Sequence, residues 1–128
     1  MSTRNFISLG IMTGTSLDGL DMSVIKSDGI NNIAFLDGIS YNFNDEIRES
    51  LHSILGSKKR DTFIDIVENN YTNFIIKKIE RFLLNKTYSI DLIGFHGQTI
   101  LHKPKEAISW QIGDAKKISN YFKKKNYL

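Results

Sequence analysis

The sequence has no cysteine, and its 128 residues include a single proline, Pro104. Without cysteine there is neither a disulfide framework nor a thiolate metal site. That suits a reducing compartment, and the expected location is the cytoplasm. Long hydrophobic runs are missing too. The apolar opening from Phe6 to Met12 is too short to span a membrane, and it leads into polar, glycine-containing sequence with no signal-peptide cleavage pattern. A broad excess of one charge is also lacking. Five of the 17 basic side chains (Lys116, Lys117, Lys123, Lys124 and Lys125) fall in the last fourteen residues, leaving 12 against 14 acids in the remainder. A chain basic only at one end offers no nucleic acid a continuous footprint, and the lysines read as a solvated tail.

What is present fits one folded domain: 41% hydrophobic and 24% charged residues, at a length that supports a small core. Residues 5–12 read as a buried strand. Thr13 to Gly19 has the glycines and short polar side chains of a tight turn. Residues 20–27 and 33–43 read as two more strands, and the short joints argue for an antiparallel meander. The period then becomes helical. Ile47, Leu51, Ile54 and Leu55 mark one helix, with Asn44 as N-cap and Gly56 as stop. Phe63, Val67, Tyr71, Phe74, Ile75, Ile79 and Phe82 mark a longer helix opening at Asp61 or Thr62. Ser89 to Phe95 is expected to return to the sheet as a strand. The segments 96–104 and 108–112 read as a hairpin, and Asp114 as the cap of a last helix reaching about Phe122. The order βββ-α-α-β-β-β-α indicates an α/β fold with a mixed sheet and helices against it.

Three stretches carry chemistry. In Gly10 to Asp21, a Gly-Thr-Ser turn between two strands offers backbone N–H groups and hydroxyls of the kind that bind phosphate. Asp18 and Asp21 are hard oxygen donors suited to Mg²⁺. The stretch is not a Walker A loop, since no Gly-Lys-Ser/Thr and no helix follow. In Gly94 to Thr99, His96, Gln98 and Thr99 stand at the end of a strand, where α/β sheets bind ligands. In Trp110 to Asp114, Gln111 and Asp114 flank a glycine turn. Imidazole, amides, hydroxyl and carboxylate together suit a sugar. The plain alternatives stay open: a hairpin turn made of turn-formers, a core histidine at position 96, an N-cap at position 114. His96, His102 and Asp114 match no standard zinc spacing, and His52 is expected to face solvent.

Together the three stretches resemble the anhydro-N-acetylmuramic acid kinase family. Its opening Gly-x-Met-Ser-Gly-Thr-Ser-x-Asp-Gly corresponds to Gly10–Gly19, its Gly-x-His-Gly-Gln-Thr to Gly94–Thr99, and its Leu-Gln-Ile-Gly-Asp to Trp110–Asp114. The resemblance implies a partial N-terminal lobe of the actin, hexokinase and Hsp70-like (ribonuclease H-like) ATPase fold, whose two lobes close over ATP and Mg²⁺. It implies that Gly14, Thr15, Ser16, Leu17, Asp18, Gly19, Leu20 and Asp21 meet the nucleotide phosphates, with Asp18 or Asp21 toward the Mg²⁺. His96, Gln98, Thr99, Gln111 and Asp114 would lie on the sugar side. The implied reaction opens the 1,6-anhydro ring of N-acetylmuramic acid with water and phosphorylates O6.

Two departures stand out. Thr13 replaces a serine, and the strand ending Asp-Phe-Arg, the glycine-rich segment and the second lobe that follow in the family do not appear before Leu128. The family's general-base Asp lies in that later sequence, so no catalytic residue is expected within the chain. The chain is then one incomplete lobe over residues 1–128, inactive alone, its other lobe conceivably on another polypeptide. The alternative is a non-catalytic remnant or nucleotide-binding module of a split or decayed gene. A nucleic-acid binder using the lysine tail lacks the aromatic platform such proteins use.

Overall fold

The computed structural model describes residues 4–14 and 16–125. Its elements run β1 (Phe6–Thr13), β2 (Gly19–Ser27), β3 (Ile33–Asn42), α1 (Asp45–Ser53), α2 (Thr62–Leu83), β4 (Leu92–Phe95), β5 (Gln98–Lys103), a 3-10 turn (Pro104–Glu106), β6 (Ile108–Ile112) and α3 (Ala115–Lys124). The expected meander forms: β2 pairs antiparallel with both β1 and β3. β4 joins parallel to β1, giving a mixed four-stranded sheet ordered β3-β2-β1-β4. β5 and β6 form a separate antiparallel hairpin.

Strand alternation decides which face is covered. Leu9 and Ile11 of β1 and Leu20, Met22 and Val24 of β2 are buried, while Met12, Asp21 and Ser23 on the other face are exposed. The buried set shares one core with Ile47 and Leu51 of α1, with Ile118 and Phe122 of α3, and with a stripe along α2: Ile64, Val67, Tyr71, Ile75, Ile79 and Phe82. Each helix opens on the cap read from the sequence. Asn44 accepts from the Ile47 N–H and Asp61 from the Ile64 N–H, both at 2.8 Å, and Asp114 accepts from the Lys117 N–H at 2.9 Å. Such caps satisfy N–H groups that the first helical turn leaves open.

The structure differs from the sequence reading in detail. Phe63 is half exposed and Ile64 takes the buried place in the stripe, because at about 100° per residue Ile64 falls near the middle of the face set by Val67, Tyr71 and Ile75 and Phe63 at its edge. Leu55 lies past the end of α1 and is exposed. β4 holds four residues, not the seven from Ser89, although Ile90 is buried and the Asp91 N–H still reaches the Ile7 carbonyl at 2.8 Å. His52 faces solvent as expected.

Candidate functional site

The end of β1 and the turn after it are fastened from behind. Thr13 is buried, and its hydroxyl donates to the Gly97 carbonyl at 3.0 Å. A threonine hydroxyl has one proton, so the second contact, Thr13 Oγ1 to Tyr71 Oη at 3.0 Å, has the phenol as donor. Burial pushes the Tyr71 phenol well above its ordinary pKa, against a smaller lowering by Thr13, so the phenol keeps its proton throughout the neutral range. A relay thus runs from Tyr71 on α2 through Thr13 on β1 to Gly97.

The turn's own carbonyls are also held. Gly14 O accepts from the Leu17 N–H at 3.4 Å and from Gln98 Nε2 at 2.9 Å, and Asp18 O accepts from the Phe43 N–H at 2.9 Å. Leu17 is left-handed at φ 60° and fully buried. An unfavourable conformation in a side chain plugged into the core is a constraint imposed by the surroundings. Left-handed residues within turns are half of the arrangement whose N–H groups converge on anions. Gly14, Ser16 and Asp18 are exposed around this plug; Thr15 lies outside the described residues. Asp21 is exposed on β2, and its carboxylate accepts the Ser40 hydroxyl. Among the described residues no three of His, Cys, Asp and Glu form a metal cluster. Asp18 and Asp21 are nevertheless exposed hard-oxygen donors, the kind that hold Mg²⁺, which takes one or two carboxylates plus substrate phosphates.

The second stretch meets this turn through Gly97 and Gln98, and the third pairs with the second across a hairpin. Gln98 pairs with Ile112, and Thr99 with Gln111, across the hairpin. Gln111 Nε2 donates to Thr99 Oγ1 at 3.3 Å and to Ser109 Oγ at 2.6 Å. Gly97 (φ +82°) allows the close approach: a Cβ there would stand 2.3 Å from the Ile112 carbonyl oxygen. Gln98 is fully buried, with its amide on Gly14. Thr99 is half-buried, and Gln111 and His96 are exposed. Asp114 is exposed and caps α3. His102 lies farther along β5, opposite Ser109.

The Gly113–Asp114 turn is gripped by α2. Glu68 accepts from the Gly113 N–H at 2.9 Å, and the buried Thr72 hydroxyl accepts from the Asp114 N–H at 3.1 Å. Arg60 holds Glu68 at 3.0 Å and stacks over Trp110 at 5.7 Å. Glu68, Tyr71 and Thr72 escaped the sequence reading because they sit within a helix read for its apolar stripe. One signal was available: a tyrosine and a threonine side by side in that stripe carry hydroxyls that need partners once buried.

The second stretch therefore packs behind the turn of the first, and the third is joined to the second across the hairpin. The sequence model of the anhydro-N-acetylmuramic acid kinase family matches residues 6–123. The chain belongs to the anhydro-N-acetylmuramic acid kinase family. It is 37% identical over 126 residues to the anhydro-N-acetylmuramic acid kinase of Pelagibacter ubique (strain HTCC1062), covering 93% of this chain and 34% of that protein. It is 37% identical over 111 residues to the kinase of that name from Paramagnetospirillum magneticum (84% and 30%), and 38% identical over 118 residues to that of Nitrobacter winogradskyi (84% and 32%). The chain spans about a third of the length of these relatives. For an anhydro-N-acetylmuramic acid kinase family member the mixed sheet with its antiparallel meander agrees with a partial actin/hexokinase-like ATPase domain. No helix among the described residues is long and apolar enough to cross a membrane.

Proposed function

We propose that this chain is one incomplete, N-terminal lobe of a cytoplasmic ATP-dependent kinase acting on 1,6-anhydro-N-acetylmuramic acid. The observation that carries this is the packing of Gly97 and Gln98 behind the Gly14–Asp21 turn, with Gln111 paired to Thr99 across the hairpin, in a chain of this family. Gly14 to Asp21 hold the ATP phosphates, and Asp18 or Asp21 holds Mg²⁺, which would neutralise phosphate charge. His96, Thr99, Gln111 and Asp114 face the sugar. In the reaction water adds to C1 and the C1–O6 bond breaks. O6 takes the γ-phosphoryl group, ADP leaves, and a general base takes the proton of the water. The products are N-acetylmuramic acid 6-phosphate and ADP. By resemblance the base comes from sequence outside residues 1–128, as do the adenine pocket and the closing lobe, on the same or another polypeptide.

The test is a pair of measurements on the purified chain. Mg-ATP at millimolar concentration is expected to raise the melting temperature, and sugar-dependent ADP release is expected to be absent until the remaining lobe is supplied. No shift with Mg-ATP favours a non-catalytic remnant, and turnover by the chain alone overturns the assignment of the base elsewhere.

A further inference from the structure

We propose that Gln98 is a positioning residue of the phosphate turn, setting the turn's shape from behind on the nucleotide side, and not a group that touches the sugar. The inference rests on reading Gly14–Asp21 as the nucleotide turn. Gln98 is fully buried, so its side chain offers no surface to a ligand. Its Nε2 donates to Gly14 O at 2.9 Å and lies 3.4 Å from Thr99 O. Two carbonyl neighbours fix which end of the carboxamide is nitrogen. Gly14 O is also the acceptor for the Leu17 N–H, the contact that closes the turn. The carbonyl at the start of the turn is thus held from within by Leu17 and from outside by Gln98.

The other half of the amide supports a functional reason. Gln98 Oε1 is buried and meets no donor among the described residues. Buried polar atoms are nearly always hydrogen-bonded. A methionine or leucine would fill the same space without leaving an oxygen unpaired. A residue that breaks this local rule points to a role at a site rather than to packing. Strand alternation then gives one step of β5 two duties: Gln98 points to the turn, and Thr99, on the opposite face, meets Gln111.

The test uses the full chain with Gln98→Met, near in size but without the donor, and Gln98→Glu, which sets a second acceptor against the Gly14 carbonyl. Amide exchange at Leu17, whose N–H closes the turn on Gly14 O, should quicken about tenfold in the Met variant and further in the Glu variant, with α2 and α3 unchanged. The dissociation constant for Mg-ATP should rise by about the same factor while that for 1,6-anhydro-N-acetylmuramic acid holds. A loss of sugar affinity with Mg-ATP unaffected would make Gln98 a sugar contact and overturn the proposal. Faster exchange spread across α2 and α3 would reduce it to packing and overturn it too. If the unaltered chain binds neither ligand, the functional reading is what fails, and the exchange pattern still decides whether Gln98 shapes the turn.

Discussion

In the turn between β1 and β2 the fold holds the carbonyls: Gly14 O by Leu17 and Gln98, Asp18 O by Phe43. In the turn between β6 and α3 it holds the N–H groups instead: Gly113 N by Glu68, Asp114 N by Thr72. A turn with its carbonyls engaged and a left-handed residue at its centre is suited to present N–H groups to an anion. A turn whose N–H groups are engaged has little left for phosphate and offers side-chain acceptors, which suit hydroxyl donors. Both are fastened to one helix, by the adjacent residues Tyr71 and Thr72. On the proposed reading, backbone polarity, more than residue composition, is what would set a nucleotide side apart from a sugar side in this domain.

The largest expected effect comes from the apolar plug of the first turn. Leu17→Ala removes a fully buried side chain and should destabilise the chain by about 2–5 kcal/mol in urea unfolding. Mg-ATP binding should weaken beyond the loss of stability, because the turn is then unanchored. An unaltered Mg-ATP affinity in the folded fraction would break the comparison. Thr72→Val comes next: it leaves the Asp114 N–H without its acceptor, at about 1–3 kcal/mol. Its mark should be faster amide exchange at Asp114 and weaker sugar binding, with Mg-ATP unaffected. Tyr71→Phe should be milder, about 1 kcal/mol, since Thr13 still donates to Gly97. Its effect should fall on the nucleotide side. Neighbouring substitutions with opposite ligand preferences would sharpen the contrast; identical preferences would erase it.

Most of the fold was legible because local signals agreed. The alternation of Leu20, Met22 and Val24, and the caps Asn44, Asp61 and Asp114, each point to the element that forms. What alternation could not tell is how far each face is covered. Ile33 and Phe35 of β3 are large apolar residues, yet they are 73% and 69% exposed, on a strand at the edge of the sheet. For the candidate site, the three motifs name residues but not their orientation. Gln98 and Thr99 are equally polar in sequence, and only the hairpin register sends one to Gly14 and the other to Gln111. Glu68 and Thr72 act through tertiary contacts more than 40 residues away in sequence (|i−j| of 45 and 42), and no local pattern encodes such contacts.

A third turn supplies the smallest effect and an internal control. Between β2 and β3 the Asp28 carboxylate accepts the N–H groups of Ile30, Asn31 and Asn32 at 2.9–3.1 Å. Here the chain's own anion occupies a cluster of turn N–H groups. Those bonds, that of Ile30 foremost and then that of Asn32, lower its pKa from 3.8 to about 2. A folded-state pKa below the unfolded value means that the charged form stabilises the turn. Its contribution is therefore complete above about pH 4 and is lost as pH falls through about 2. The site is fully exposed, so the expected change is local: faster amide exchange at residues 30–32 in acid, with β1 and α2 unaffected. Asp28→Asn, which keeps the acceptor but not the charge, should remove the pH dependence and leave most of the turn's protection. A carboxyl titration at the ordinary aspartate value would show that backbone N–H groups in a turn of this protein do not favour an anion. The contrast between the two turns of the site would then lose its physical basis.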